Sequence, residues 1–389
     1  MRVLHVVKTA EGADWAAREV TELVKLGIEV HVAVPNGSTE NLRKWVNSGA
    51  ELHLVNLDLP IKSPFRLSQK MSQARALVNS VKPDLIHSHF FGTSILLRYA
   101  LGPSHPIPRI FQVPGPLHLE HRIFRSWELS SSGPSDFWIA SSEYIRNLYL
   151  KAGISPVRVS LSYYGIDLPK QTPTRSFKLH EMLGLPKEQK IIGNVSHIYK
   201  PKIYLGQTKG IKCHEDLIDA FDEVTRIRPD ITGVLIGGAW KGAESYEKRL
   251  IKRAHRVSGN RVRMLGNIRS ESILSLWADF DLAVHVPRSE NCGGVVEPLL
   301  AMVPVIASNV GGLPDVIQDG VTGTLVPPEN PKLLARAILK TMDSYPLALT
   351  QAKAGEAKVR QMFDVTKTSR EIVEIYRHTT ATSLGGSLQ

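Results

Sequence analysis

Short runs of β-forming residues alternate with amphipathic helical stretches along almost the whole chain, and this order restricts the fold more than any other property of the sequence. Val3–Val7 is a strand-like run, and residues 14–26 follow with Val20, Leu23, Val24 and Leu26 on one helical face. Gly27 closes that helix, and residues 29–34 form a second strand ended by Pro35. Residues 84–87, 109–113 and 137–140 read as further strands, with a helix over 94–101. A stretch punctuated by Pro169, Pro173 and Pro186 reads as a linker. Alternation then resumes, with strands at 190–195, 232–236, 261–265, 282–285, 303–307 and 324–326. Helices are expected at 215–226, 270–278, 297–302, 313–319 and 332–344. Residues 366–377 read as a helix, and the tail with Thr379, Thr380, Thr382, Ser383, Gly385, Gly386 and Ser387 as frayed. Parallel strands need crossover connections, and these helices supply them. The expected fold is therefore α/β, with two doubly wound Rossmann-like domains facing a cleft. The first spans residues 1–170 and the second 171–365, with a terminal helix over about 366–380 placed against the first.

A chain of 389 residues with 42% apolar and 22% charged residues has the composition of globular domains with a real core. It holds no apolar run of the about eighteen residues that cross a bilayer. The N-terminal apolar stretch is short and broken by His5, so no secretory signal is read and a cytoplasmic location is expected. Cys213 and Cys292 are far apart and form neither a disulfide framework nor a metal-ligand spacing. The net charge of +11 suits anionic partners such as a nucleotide diphosphate or acidic lipid headgroups, and equally plain solubility. In the segment 65–82, Arg66, Lys70, Arg75 and Lys82 stand among Leu67, Met71, Ala74, Leu77 and Val78. Such a basic amphipathic helix either packs with its charges in solvent or lies on the inner face of a membrane.

Open parallel sheets bind ligands at the carboxyl ends of their strands, so the loops after strands carry the functional reading. In residues 285–315 a strand ends near His285 and a loop carries Glu290, Asn291, Cys292, Gly293, Gly294 and Val295. Pro298 stands in the first turn of the next helix, where its missing N–H costs nothing, so Glu297 lies near a helix N-terminus. Two glycines beside free backbone N–H groups suit a diphosphate. A carboxylate there is repelled by phosphate and instead accepts hydrogen bonds from ribose or sugar hydroxyls. The plainer alternative makes Glu297 a helix cap and Glu290 a solvated side chain.

These residues resemble the retaining family-4 glycosyltransferases of GT-B architecture, whose signature is two glutamates separated by seven residues before a helix and a Gly-x-Pro-Val strand entry. Glu297, Ala301, Pro304 and Val305 match, as do Gly311-Gly312-Leu313-Pro314, Asp319-Gly320 and Thr322-Gly323. Two departures stand out. Only residues 291–296 separate Glu290 from Glu297, and Val303 stands where the family has glycine. Asp84-Leu85-Ile86-His87-Ser88-His89 is similar to the family's Asp-x-x-His-x-His segment, and Tyr164-Gly165-Ile166-Asp167 to its Asn-Gly-Val-Asp. Lys212-Cys213-His214-Glu215-Asp216-Leu217 is similar to its Lys-Gly-x-x-x-Leu, with Cys213 replacing glycine. The resemblance implies that Lys212 contacts the donor diphosphate, and that Glu290 and Lys212 are catalytic. Ser196-His197-Ile198 replaces the family's Gly-Arg-Leu, so Lys202 or Lys209 is left to supply the phosphate-binding charge. Gly12 keeps one glycine of a pair after the first strand, and Pro114 takes the place of the active-site histidine. His118 is the candidate substitute. His89, and Arg122 in the aromatic–basic segment 121–128, are candidates on the acceptor side.

The expected function is that of a retaining glycosyltransferase, an EC 2.4 enzyme, with a UDP-sugar as the default donor. A saccharide or lipid-linked acceptor in surface polysaccharide assembly is expected. No cofactor, metal or nucleic acid is expected. The rivals are a nucleotide-sugar epimerase on the same scaffold and a non-catalytic nucleotide-sugar or polysaccharide binder. A nicotinamide oxidoreductase is disfavoured, because no Gly-x-Gly-x-x-Gly turn follows the first strand.

Overall fold

The computed structural model describes residues 1–385. The chain divides into two compact units, Met1–Leu168 with the segment from Met362, and Pro169–Gln361. The first unit holds β1 (Arg2–Val7), β2 (Glu29–Val34), β3 (Glu51–Leu54), β4 (Leu85–His89), β5 (Arg109–Val113), β6 (Asp136–Ala140) and β7 (Val159–Leu161). They form one sheet in the order β3-β2-β1-β4-β5-β6-β7, every pair parallel. The second unit holds β8 (Lys190–Val195), β9 (Ile231–Ile236), β10 (Val262–Met264), β11 (Leu282–His285), β12 (Val305–Ser308) and β13 (Thr324–Val326). Their order is β10-β9-β8-β11-β12-β13, again parallel throughout.

The period of two along β1 explains how its sheet is covered. Val3 and Val7 pack with Ala16, Val20 and Leu23 of the helix Asp14–Lys25, and with Ile372, Val373 and Tyr376 of the terminal helix Val365–Gly385. Leu4 and Val6 pack on the opposite face against Ala74, Val78, Ile95 and Leu96. Buried on both faces, β1 reads as an apolar run interrupted only by the buried His5. The edge strands β3 and β7 escape a sequence reading because they pair on one side only and carry polar residues. The helix Glu244–Ser258 was also not anticipated, although its buried Tyr246, Leu250 and Ala254 recur every four residues.

Several local expectations are corrected. The presumed linker contains the helix Lys178–Leu183. Its start is held from a distance, because the Asp279 carboxylate accepts the N–H groups of Ser176, Phe177 and Leu179 at 2.7, 2.8 and 2.9 Å. The tail is helical through Gly385, and the Thr380 and Thr382 hydroxyls bond the preceding turn, at the Tyr376 carbonyl (3.0 Å) and the His378 carbonyl (2.9 Å). Gly386 and Ser387 lie outside the described residues. The strand expected from 303 begins at Val305, because Met302 adopts a left-handed conformation (φ 54°) that ends the helix Val296–Leu300. The position with glycine's conformation is thus Met302 rather than Val303. A left-handed non-glycine residue costs about 1–2 kcal/mol, and glycine's larger chain entropy offsets part of that. Met302→Gly is therefore expected to stabilise by up to about 1 kcal/mol. Met302→Val, β-branched, is expected to destabilise by roughly 2 kcal/mol. Guanidinium unfolding midpoints measure both.

In the basic segment, the helix Leu67–Val81 buries Ala74, Val78 and Val81, while Arg75 bonds the Ala100 carbonyl at 2.6 Å. Beside it Phe65 is 80% exposed. Among the described residues no helix is long and apolar enough to cross a membrane.

Candidate functional site

In the second sheet β8 and β11 are neighbours, and the strand order reverses between them. That reversal opens a crevice at the carboxyl ends of both strands. Asn194 and Ser196 stand at the end of β8, and His285 ends β11. The loop after His285 carries Glu290 to the helix Val296–Leu300.

Hydrogen bonds join these segments in one direction. Ser196 donates to Asn194 Oδ1 at 2.6 Å, and its hydroxyl oxygen stands 3.3 Å from His214 Nε2. The Asn194 amide donates to the Val284 carbonyl at 2.8 Å and to His285 Nδ1 at 3.2 Å. His285 therefore carries its proton on Nε2 and donates it to Glu290 Oε2, 3.1 Å away. The Asn291 N–H donates to the other carboxylate oxygen at 3.1 Å. Lys212, just before the helix His214–Ile227, completes the set with an ion pair to Glu290. Burial raises the Glu290 carboxyl, but the Lys212 charge and the His285 hydrogen bond outweigh it and hold the group at about 2. Burial, reinforced by Lys212 and His285, lowers His214 to about 3. At neutral pH the crevice thus holds an ionised carboxylate, an ammonium within reach of it and neutral imidazoles.

Two glycines let this loop close. Gly294 has φ 81°, and a Cβ there would lie 2.4–2.6 Å from three atoms of the His285 ring. Gly311 has φ 55°, and its Cβ would lie 1.8 Å from the Glu290 carbonyl oxygen. Cys213 occupies glycine's place in the family motif, and it too is left-handed (φ 51°).

The other sequence candidates separate by position. Glu297 is exposed on the first turn of Val296–Leu300, and Gly293 is exposed beside Glu290. Cys292 and Val295 are buried and face the interior, the thiol 3.4 Å from the Gly312 carbonyl. The Lys202 backbone bonds Gln207 at 3.0 Å, whereas Lys209 pairs with the buried Asp216. His285, Asn194, Ser196 and His214 were not singled out from the sequence. The one available signal was the departure from the family pattern at Ser196-His197-Ile198, which is where this network passes.

In the first unit Gly12 is exposed, with φ 67°, in the loop after β1. Arg122 is exposed and lines an open groove of about 930 Å³ with His121, Ile123, Ser126 and Trp127. His118 is not among the residues lining that groove. Its ring packs between Phe91 and Phe111, both at 5.6 Å, and Nε2 stands 3.7 Å from Glu128. Glu128 is buried with Arg98, Trp138 and Tyr149 around its carboxylate. A packing role follows, in place of the expected contact with a sugar. His118→Gln is expected to cost about 1–2 kcal/mol of stability, the loss of ring packing between Phe91 and Phe111, with kcat unchanged. Melting and turnover of the same preparation measure this.

His89 is likewise interior, facing Tyr164 and His5. Burial lowers His5 to about 3 and pushes the nearby Glu19 up to about 8. Among the described residues, the groups able to hold a metal ion are His5, Glu19, His87 and His89, and at the sheet edge His31, Glu51 and His53.

The chain matches two sequence profiles, one described as glycosyl transferases group 1 over residues 176–358 and one as glycosyltransferase family 4 over residues 15–170. It is 29% identical over 203 residues to the D-inositol 3-phosphate glycosyltransferase of Mycolicibacterium smegmatis, covering 51% of this chain and 43% of that one. The chain spans about half the length of the curated relatives it matches. An Anabaena protein, Alr3699/HepE, solved in complex with UDP, superposes with a TM-score of 0.76 at 21% identity, covering 96% of this chain and 99% of that one. Sucrose-phosphate synthase from Thermosynechococcus elongatus also gives 0.76, at 17% identity, covering 98% and 100%.

Proposed function

The chain belongs to glycosyltransferase family 4 and has the GT-B fold, and from that premise we propose that it transfers a sugar from a UDP-sugar to a saccharide or lipid-linked acceptor, with retention of configuration, in surface polysaccharide assembly. The observation that carries this reading is the Lys212–Glu290–His285 network at the strand reversal of the second sheet.

A nucleoside diphosphate entering that crevice offers Lys212 a second anion beside Glu290. The ammonium then offsets the charge that grows on the departing diphosphate, the step at which fixed charges lower a barrier most. Glu290 is kept ionised by its partners and accepts hydrogen bonds from sugar hydroxyls. Glu297, exposed on the first turn of the next helix, does the same for the ribose. The backbone at Gly293 and Gly294 approaches the phosphates, with Lys202 as a further cation. The acceptor attacks on the face that the diphosphate leaves.

The test is a panel of UDP-, GDP- and ADP-sugars, read by thermal shift and by turnover. D-inositol 3-phosphate belongs among the acceptors, since the relatives are named for it. Transfer with the anomeric configuration retained supports the proposal, and no binding or turnover with any donor rejects it. Isomerised donor without an acceptor indicates the epimerase. Binding without chemistry indicates the non-catalytic reading.

A further inference from the structure

The densest group of metal-ligating side chains lies inside the first unit and takes no part in the proposed transfer. β1 and β4 pair in parallel with His5 opposite His87 and Val7 opposite His89. Side chains two apart on a strand share a face, so three imidazoles gather there. Their ring centroids are 4.6 Å (His5–His87), 5.3 Å (His5–His89) and 4.3 Å (His87–His89) apart. The helix Asp14–Lys25 adds Glu19, which is 3% exposed, while the histidines are fully buried. One ligand atom from each of the four lies within 4.8 Å of all the others.

Three observations favour a cation over a plain hydrogen-bonded cluster. The first is satisfaction. Glu19 Oε1 and His87 Nε2 lack a well-formed hydrogen bond: the Gln112 amide, opposite His89 on β5, approaches both side chains without closing a bond of good geometry to either. Buried polar atoms are costly when nothing pairs with them. The second is orientation. The Tyr376 hydroxyl lies 2.6 Å from His87 Nδ1 and 3.0 Å from His5 Nε2, and the Tyr164 hydroxyl 3.2 Å from His89 Nδ1. Each ring therefore has one nitrogen held from behind, the usual support of a ligating histidine. The third is spacing. Bonds of about 2.0–2.1 Å in a tetrahedron set ligand atoms roughly 3.3 Å apart. Two of the atoms named below as ligands, His5 Nδ1 and His89 Nε2, are 3.1 Å apart, and the Glu19 carboxylate comes to 3.8 Å from the His87 ring.

We propose that His5, Glu19, His87 and His89 form a structural site for one divalent cation of the Zn²⁺ type. His5 Nδ1, His87 Nε2 and His89 Nε2 are the ligating nitrogens. Three imidazoles and one carboxylate suit zinc better than the all-oxygen shells of calcium or magnesium. Four protein ligands leave no open position, which marks a structural site rather than a catalytic one. The ion ties β1, β4 and the first helix together. The sequence concealed it because its ligands come from three separate segments.

The test uses the full chain, prepared without a histidine tag, loaded with Zn²⁺ or Co²⁺ and desalted. About one ion per chain is expected, and Co²⁺ is expected to show the intense visible bands of a four-coordinate site. The Trp15 ring is 5.4 Å from His89, so Co²⁺ is expected to quench its fluorescence. Trp15→Phe is expected to retain the ion and lose that quenching. Glu19→Gln and His87→Gln are each expected to weaken binding roughly 100-fold or more, whereas His53→Gln, at the sheet edge, keeps the ion. No retained ion in the wild type overturns the proposal, as does a weak octahedral cobalt spectrum. Loss of the ion in His53→Gln with retention in Glu19→Gln overturns it as well. If the Glu19 and His87 variants do not fold, the wild-type cobalt spectrum and Trp15→Phe decide.

Discussion

Glu290→Gln is expected to lower sugar transfer by about 10²–10³-fold while the protein stays folded and still binds UDP. The amide keeps the size of the side chain and one oxygen, so the loop is preserved. What it loses is the charge that pairs with Lys212 and accepts the His285 proton. Lys212 is then free of its anion, so the Kd for UDP stays the same or falls while kcat collapses. Lys212→Met divides the other way and is expected to raise the Kd for UDP by roughly 10–100-fold, the worth of one hydrogen bond to a charged group. Titration calorimetry with initial rates separates the two.

The same network sets a pH expectation. The Glu290 carboxyl is held at about 2 in the folded protein, below its ordinary value, by Lys212 and His285 against burial. A depressed carboxylate contributes stability that is fully present above the ordinary carboxylate range and is lost as pH falls through the folded value. Glu290 therefore stays ionised through the whole range in which the enzyme is assayed. It contributes no acid limb to kcat above about pH 3. In Lys212→Met, burial acts with less opposition and an acid limb moves up toward neutral pH. A wild-type limb near pH 5 that disappears in Glu290→Gln would contradict this account.

Gly311→Ala is expected to cost about 2–5 kcal/mol and to take most of the activity with it. Two costs add. An alanine held left-handed costs about 1–2 kcal/mol, and forcing a methyl into packed atoms costs a further 1–3 kcal/mol. The obstruction is the Glu290 carbonyl oxygen, 1.8 Å from the new Cβ, so main chain rather than a flexible side chain must move. The segment that moves is the one carrying Glu290. The Gly312 N–H, which reaches the same carbonyl at 3.3 Å, is displaced with it. Gly294→Ala is expected to act similarly through the His285 ring, whose two nitrogens are already engaged by Asn194 and Glu290. Guanidinium unfolding measures the cost in each variant, and donor turnover measures the loss of the site. A normal midpoint in Gly311→Ala would show that the loop relaxes without strain.

The sequence by itself determined the α/β order, the repetition of that order in two units, and the loop in which Glu290, Gly293, Gly294 and Glu297 stand together. These follow from short-range periodicity and spacing, because an amphipathic helix or a buried strand writes its pattern into consecutive residues. The resemblance to the family also marked Gly311, Lys212 and the glycine place at Cys213; at Gly311 and Cys213 the left-handed backbone is the reason residue type is restricted. Only the tertiary structure decided who stands beside whom. Glu290 and Glu297 do not stand as a symmetric pair: Glu290 is tied to Lys212 and His285, while Glu297 is exposed on the next helix. His118 is drawn toward Glu128, and His89 is enclosed with His5 and His87. The physical reason is the parallel sheet. Neighbouring strands such as β1 and β4, or β8 and β11, are joined through long crossovers. No local pattern records the contacts made across them.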